Sequence, residues 1–409
     1  MMKKNVGLLI SNLNGGGAER VVSRLSTILK EDYNIHVILF DASSINYEYN
    51  GRLINMNVGA NKGNAFSKIS LLLNRVRILR KIKKEEKLDL VISFLDSPNL
   101  VNILSKNKDC KTIVSVRNFL GKEKQTSRIT KISNIIMKQL YKQSDGVISV
   151  SKQITEFLIE SYRVNEKNIK TIYNPFDVKM IEKLSLEPIE EEYRDFMSSD
   201  KIFVSVGRQS YQKGFWHLLK AFKLVHDKDS EARLLIVGRD EGNSVENMIT
   251  SLGLEESVLL TGYNQNPFKF IRNSKIYVLS SLFEGFPNAL VEAMACGCPV
   301  IAADCQSGPR EILISESDLI SNINEITYAD YGVLIPELES EENWDSSFYD
   351  KGDRILAMAM LDLINNQDKV NYYAEKSLQR SQDFTYARCR SEFNSFIDVY
   401  LNEDQLQVK

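Results

Sequence analysis

The chain writes one pattern twice. Short apolar runs of about five residues alternate with longer stretches of helical spacing, first over residues 1–175 and again from residue 202 onward. In the first half, residues 6–11, 35–40, 89–94, 112–116 and 146–150 read as strands, and residues 18–30, 66–84, 127–142 and 152–161 as helices. The strands are apolar throughout rather than on alternate residues, so both of their faces are buried. That is the mark of a parallel sheet covered by helices on both sides. Tyr173-Asn174-Pro175-Phe176 breaks the rhythm, and the next twenty residues are charged and lack strand character. The alternation then restarts with strands at 202–206, 233–237, 257–261, 276–280 and 299–303, a helix at 215–226, and a late strand within 328–336. The expected class is α/β, with two Rossmann-like, doubly wound domains facing a cleft at their strand C-terminal edges. The domain limits fall at 1–175 and 176–384, with a terminal helical segment over 385–409.

Composition narrows the setting. The 409 residues suit two domains, and no run of 18 apolar residues offers a membrane span. The N-terminus enters a strand within a few residues, so no signal peptide is expected. Five cysteines are too few and too scattered for a disulfide scaffold, which predicts a reducing, cytoplasmic location. Cys296, Cys298 and Cys305 fit no common zinc spacing and have no histidine nearby, so they read as small buried apolar residues. The net charge of −2 hides a split. Residues 1–180 hold 30 of the 52 Lys+Arg and 16 of the 54 Asp+Glu, leaving 22 against 38 in the remainder. A basic half joined to an acidic half implies an anionic partner on one side: nucleic acid, anionic lipid or a phosphorylated substrate.

The most informative segment is 283–299, FEGFPNALVEAMACGCP. An apolar strand leads into a turn carrying Glu284, Gly285, Phe286 and Pro287. Asn288 reads as a helix N-cap, and Ala289, Leu290 and Glu292 lie in the first turns of a helix that stops at Gly297. A helix N-terminus at a tight turn offers backbone N–H groups and a positive dipole end to a phosphate. Glu292, one turn in, can accept from two vicinal hydroxyls of a ribose, and Glu284 can do the same for a sugar ring. The bland alternative is a capped helix with two ordinary surface carboxylates.

Two further motifs bear on the same chemistry. Gly15-Gly16-Gly17 follows the first strand and opens the first helix, where glycine lets the backbone approach a ligand. It is not G-x-G-x-x-G, and an acidic ribose contact falls poorly, which weakens a dinucleotide-cofactor reading. Gly207-Arg208 ends the first strand of the second half, and Lys213-Gly214 opens the next helix. Strand end and helix start face one crevice, so a bidentate guanidinium and a mobile ammonium can meet the same diphosphate.

With seven residues between them, Glu284 and Glu292 resemble the paired-glutamate signature of retaining glycosyltransferases of family 4, which have the GT-B fold. The run Asn12–Arg20 resembles that family's N-terminal glycine-rich loop, and Arg208 with Lys213 its phosphate-binding pair. Residues 307–312, SGPREI, are similar to a run found in members that assemble bacterial surface polysaccharides and lipid-linked oligosaccharides. The four blocks keep the family's order across most of the chain. The resemblance implies a transferase moving a hexose or N-acetylhexosamine from a nucleotide-sugar donor, taken as UDP-linked, with retained configuration and no metal or other cofactor. Arg208 and Lys213 would meet the diphosphate, Glu292 the ribose and Glu284 the sugar. Gly16, Gly17, Gly207, Gly285, Phe286, Asn288, Ala289 and Leu290 would line the donor, and Tyr263 would border the base. It also implies a terminal helix, 388–402, packed back on the N-terminal domain.

One departure stands out. The family's N-terminal domain commonly supplies a histidine near the reacting sugar, whereas here the matching strand end reads Ser115-Val116-Arg117-Asn118 and the three histidines fall elsewhere. Arg117 and Asn118 are taken as catalytic substitutes, and Gly15, Gly16 and Asp96 join them as acceptor-side residues. Residues 75–87 and 122–142 carry basic amphipathic helices. With the charge split, these favour an anionic membrane surface over nucleic acid, for which no recognition motif is present. The expected acceptor is a polyprenyl-diphosphate-linked glycan on the inner face of the cytoplasmic membrane. The rivals are a soluble transferase with a small acceptor and a catalytically silent binding protein that keeps the two-domain shell.

Overall fold

The computed structural model describes residues 3–59, 64–118, 137–239, 242–315 and 323–402. The expected helix over 127–142 falls mostly outside them. The chain divides into two units: unit 1 is Met1–Phe176 with Tyr386–Lys409, and unit 2 is Asp177–Thr385. With helices on both faces of parallel-rich sheets, the units have the GT-B class of fold.

In unit 1 the strands are β1 (Asn5–Ile10), β2 (Asn34–Leu39), β3 (Arg52–Asn55), β4 (Leu90–Phe94), β5 (Lys111–Val116), β6 (Gly146–Ser149) and β7 (Ile169–Thr171). They form a parallel sheet in the order β3-β2-β1-β4-β5-β6-β7. Successive side chains point to opposite faces, so Leu8, Ile10, Val37 and Leu39 join one core cluster and Leu9, Ile38 and Val91 another. Helix α1 (Gly17–Leu29) covers the first face, and α2 (Ala65–Glu85) and α3 (Asp96–Leu104) the second. β3, β7 and α3 have no counterpart in the sequence reading, and Asp96, expected on the acceptor side, is the first residue of α3.

Unit 2 contains β8 (Ile202–Val206), α4 (Phe215–His226), β9 (Arg233–Val237), β10 (Val258–Gly262), β11 (Ile276–Leu279), α5 (Asn288–Ala295), β12 (Val300–Ala303), β13 (Thr327–Tyr328), β14 (Val333–Ile335) and α6 (Lys351–Ile364). Its sheet runs β10-β9-β8-β11-β12-β14-β13, parallel except for the β13–β14 pair. The last helix, α7 (Tyr386–Leu401), returns to unit 1. It buries Phe393, Phe396, Ile397 and Tyr400 in the cluster that holds α1, at about 1.5–3 kcal/mol for each large apolar side chain. Gly146 leaves room for it, since a Cβ there would stand 2.7 Å from the Tyr400 hydroxyl. Arg390 completes the attachment with a bidentate pair to Asp32, at 2.6 and 2.8 Å.

In each sheet the connections run outward in both directions from a central pair, β1/β4 in unit 1 and β8/β11 in unit 2. The crevice beyond the C-terminal ends of such a pair is where open α/β sheets take ligands.

Candidate functional site

At the β8/β11 crevice of unit 2, β8 hands over to Gly207-Arg208, and β11 to the loop that carries Glu284. The chain then reaches Lys213 and turns sharply at Gly214, whose φ of +59° is left-handed. A Cβ at Gly214 would meet the Ser280 carbonyl at 2.4 Å, so only glycine brings α4 this close to β11. The Lys213 stem lies across Gly207, where a Cβ would stand 2.9 Å from Lys213 Cε. Lys213 Nζ ends 2.7 Å from Glu284 Oε1.

The Glu284 carboxylate is fixed from several sides. Ser281 Oγ donates to Oε1 at 2.8 Å and Gln212 Nε2 to Oε2 at 3.2 Å. Its backbone N–H donates to the Gln306 carbonyl at 2.7 Å, and its own carbonyl accepts from Ser307 N–H at 3.0 Å. Ser307 Oγ donates to the Gly285 carbonyl at 2.8 Å. The SGPREI run therefore braces the Glu284 loop from behind, and Arg310 is engaged by Asp304.

Glu292 is buried in α5, only 3% exposed. The Tyr277 phenol lies under the same crevice. Burial first, then the nearby Glu284 and Glu292 carboxylates, push its pKa far above the ordinary phenol value. No local pattern marks Tyr277, whose position reads as one more apolar strand residue. Asn288 is not the N-cap: Pro287 holds that place, and Asn288 is the first residue of the helix. The proline ring already sets the extended entry that a cap residue would otherwise provide. Leu290 is fully buried and its N–H is spent on the Pro287 carbonyl, so it packs rather than donates. Phe286 packs against Phe384 at 5.5 Å. Arg208 is exposed beside Gly207. Tyr263, 64% exposed, follows β10 with the Arg239 guanidinium 5.8 Å from its ring. Arg239 is a further residue the sequence reading missed.

The β1/β4 crevice of unit 1 has a different chemistry. Gly15, Gly16 and Gly17 follow β1, and a Cβ on Gly16 would stand 2.2 Å from Glu19 Oε2. The anion that the sequence leads one to expect at this helix start is met by the chain's own Glu19. Gly16 and Gly17 belong to unit 1 and the remaining expected donor residues to unit 2. On the β4 side, Leu95 has φ +73°, a strained conformation for a branched side chain, and delivers exposed Asp96 to the start of α3. The Tyr141 hydroxyl donates to Asp96 Oδ1 at 3.2 Å. Below it runs a buried neutral network: Ser93 Oγ donates to Asn99 Oδ1 at 2.8 Å, and Asn99 Nδ2 to the Ser115 carbonyl at 3.0 Å.

Arg117 points inward. It donates to Asn174 Oδ1 and, at 3.0 Å, to Ser115 Oγ, with its guanidinium 5.7 Å from the Phe94 ring. Burial lowers its pKa to about 10. It ties the end of β5 to the Tyr173–Pro175 turn rather than facing a substrate. Asn118 is exposed.

One His/Asp grouping among the described residues has metal-like geometry: His217, Asp350 and Asp353. Its atoms engage one another instead. His217 Nδ1 lies 2.6 Å from Asp353 Oδ1 and 3.4 Å from Asp350 Oδ2, and Nε2 lies 2.9 Å from the Glu339 carbonyl. Asp350 and Asp353 also form the capping box of α6. Both ring nitrogens face acceptors, so the group holds a shared proton. Burial alone would lower the His217 pKa, but the Asp353 hydrogen bond and neighbouring charges raise it overall. All five cysteines are buried and free.

Two family models match the chain: Glycosyltransferase Family 4 over residues 15–179 and Glycosyl transferases group 1 over residues 189–330. An uncharacterised glycosyltransferase of Methanocaldococcus jannaschii is 33% identical over 340 residues, covering 80% of this chain and 83% of the relative. A Campylobacter jejuni enzyme is 28% identical over 316 residues, covering 76% and 83%. It is named as an N-acetylgalactosaminyltransferase acting on N-acetylgalactosamine-N,N'-diacetylbacillosaminyl-diphospho-undecaprenol. The Anabaena HepE structure, in complex with UDP and glucose, superposes with a TM-score of 0.72 over 97% of this chain and all of that one, at 17% identity.

Proposed function

This chain belongs to glycosyltransferase family 4, and we propose that it is a retaining enzyme that transfers a hexose or N-acetylhexosamine from a UDP-linked donor to a lipid-diphosphate-linked glycan. The observation that carries the reading is the Lys213–Glu284 pair at the strand-reversal crevice of unit 2, with Arg208 at the end of β8 and buried Glu292 in α5. Those four residues match the chemistry of a sugar nucleotide: two cations for a diphosphate, two buried carboxylates for hydroxyls. The UDP-bound neighbour and the undecaprenyl-diphosphate relative support the choice of donor and acceptor class.

In this reading the acceptor oxygen forms its bond to the anomeric carbon on the face from which the diphosphate oxygen departs. The acceptor proton passes to that departing oxygen. Arg208 and Lys213 neutralise the charge that grows on the diphosphate, the step at which fixed cations lower a barrier most. They stand where a divalent ion would otherwise screen the phosphates, so activity is expected to survive EDTA. Glu292 holds the ribose, Glu284 the sugar hydroxyls, and Tyr263 with Arg239 the base. In unit 1, Asp96 and Asn118 are the acceptor-side groups; inward-facing Arg117 supports the strand end instead. Incubating radiolabelled sugar nucleotides with membrane extract identifies the donor, and NMR of the product reads its anomeric configuration. An inverted product refutes the mechanism. Glu292→Ala is expected to weaken UDP binding by calorimetry, and unchanged affinity removes its ribose role.

A membrane-surface location is supported by α2. Its C-terminal half buries Val76, Leu79 and Ile82, but Phe66, Ile69 and Leu73, at helical spacing, are exposed. Exposed Lys68, Arg77, Arg80, Lys81 and Lys84 accompany them. No helix among the described residues is long and apolar enough to cross a membrane, and an amphipathic helix needs only to lie on one.

A further inference from the structure

Lys213, the residue assigned above to the leaving diphosphate, already holds a partner 2.7 Å away in Glu284. The two members of this pair differ in mobility. Glu284 is pinned by Ser281, by Gln212 and by two backbone bonds to the 306–307 segment. Lys213 rides on a four-carbon stem laid across Gly207, where no side chain blocks its swing. If either group moves, it is the ammonium.

We propose that Lys213 and Glu284 form an exchangeable pair that makes the site prefer a sugar-bearing nucleotide over the bare nucleoside diphosphate. The inference rests on the donor-site reading above. When the donor enters, the sugar hydroxyls donate to Glu284 and replace what the ammonium supplied. Lys213 then turns to the diphosphate. After transfer the sugar is gone, Glu284 recaptures Lys213, and the product diphosphate loses a cation. A bare diphosphate must draw Lys213 away from Glu284 with nothing offered to the carboxylate in return, and its apparent affinity falls by the fraction of time the pair stays closed. Discrimination therefore comes from a buried acceptor left without its donors when the sugar is missing.

Calorimetry with UDP tests this on four proteins: wild type, E284Q, K213M and the double variant. The glutamine keeps the shape and removes the charge that retains Lys213. E284Q is expected to bind UDP about 10-fold more tightly than wild type, the worth of one charged hydrogen bond. K213M should bind UDP nearly as wild type does but the intact UDP-sugar more weakly, and E284Q should have no effect on UDP binding in the K213M background. Equal or weaker UDP binding by E284Q overturns the proposal, because Glu284 would then be positioning Lys213 rather than competing for it. Should E284Q fail to fold, wild type alone decides: the intact UDP-sugar must bind more tightly than UDP, and the reverse order overturns the proposal. K213M binding the intact UDP-sugar like wild type removes the donor-site reading itself, and this inference with it.

Discussion

The two units share a plan and differ in what they place at its centre. Both sheets reverse strand order at a central pair, and in both a loop carrying candidate site residues follows it. In unit 2 the crevice is lined by charges that answer one another: Lys213 with Glu284, and two carboxylates above Tyr277. In unit 1 the floor is a neutral network of Ser93, Asn99 and Tyr141, the cation Arg117 is turned inward, and Glu19 closes over Gly16. The fold supplies the location of a site twice. Side-chain chemistry alone sets the two crevices apart, with paired charges in unit 2 and a largely neutral floor in unit 1, and the proposed function rests on that difference.

The largest expected effect breaks or confirms that division. Arg208→Ala or Lys213→Ala should lower turnover by on the order of 10²–10³-fold, the usual cost of losing one group that stabilises developing charge. Asp96→Ala in unit 1 should leave UDP affinity unchanged while reducing turnover through the acceptor. Initial rates and calorimetry on the three variants separate the roles. Near-wild-type turnover in both cation variants would sink the division, as would a loss of UDP binding in Asp96→Ala.

A second contrast lies in the buried ionisable groups. Unit 1 buries Lys83 against Asn102 and Thr112, and burial lowers its pKa to about 8. A depressed lysine costs stability while both states are protonated, and the cost lifts as pH rises from about 8 to the ordinary lysine value near 10.4. Unit 2 buries the His217 cluster with the opposite sign. The raised His217 pKa contributes stability in full below about 6.5, the unfolded value, and that contribution is lost as pH rises through the folded one. Burial raises the Asp353 pKa as well, which adds in the same direction. Unit 2 should thus weaken above about pH 6.5, whereas unit 1 should strengthen above about pH 8. Both tryptophans, Trp216 and Trp344, lie in unit 2, and the Trp216 ring lies tilted 5.2 Å from that of His217. Urea unfolding followed by tryptophan fluorescence therefore reads unit 2, and circular dichroism reads the whole chain. Lys83→Met should stabilise unit 1 at pH 7 by roughly 1–3 kcal/mol, and His217→Gln should flatten the slope of the fluorescence midpoint against pH. A fluorescence midpoint that rises between pH 6 and 8 in wild type contradicts the assigned sign.

How much of this was legible in the sequence follows from distance along the chain. The alternation of apolar strands and helices is local, and it located both sheets. β3, Arg52–Asn55, escaped because it is a short, half-exposed edge strand whose sequence RLIN carries no apolar run. α3 escaped because Asp96-Ser97-Pro98-Asn99 reads as a turn, although proline is well tolerated in a first helical turn. Glu284, Glu292, Arg208 and Lys213 were each legible from motif spacing. The pairing of Lys213 with Glu284 was not, since 71 residues separate them. Arg117 was misjudged for the same reason: nothing near it announces that Asn174 will capture it. The His217 cluster joins residues 136 apart, and no local pattern marks such a contact.

The smallest expected effect per residue concerns the surface of unit 1. The apolar stripe and the basic residues of α2 should contribute separately to binding an anionic bilayer. Each lysine or arginine near such a surface is worth about 1 kcal/mol and is screened by salt. Each apolar side chain that inserts contributes up to about 1.5–3 kcal/mol and is insensitive to salt. Wild type should therefore sediment with vesicles containing anionic lipid at low salt and be released as salt rises, while neutral vesicles hold it poorly. Changing Arg77, Lys81 and Lys84 to glutamate should abolish the salt-sensitive part. Lys83, which the charge pattern alone would include, is buried and is left in place. Changing Phe66, Ile69 and Leu73 to serine should weaken binding at every salt concentration. Neither set should alter UDP affinity, because Arg208, Lys213, Glu284, Glu292 and Tyr263 all belong to unit 2. If wild type ignores anionic vesicles even at low salt, α2 is merely a solvated helix, and a transferase acting on a small soluble acceptor becomes the better reading of the same active site.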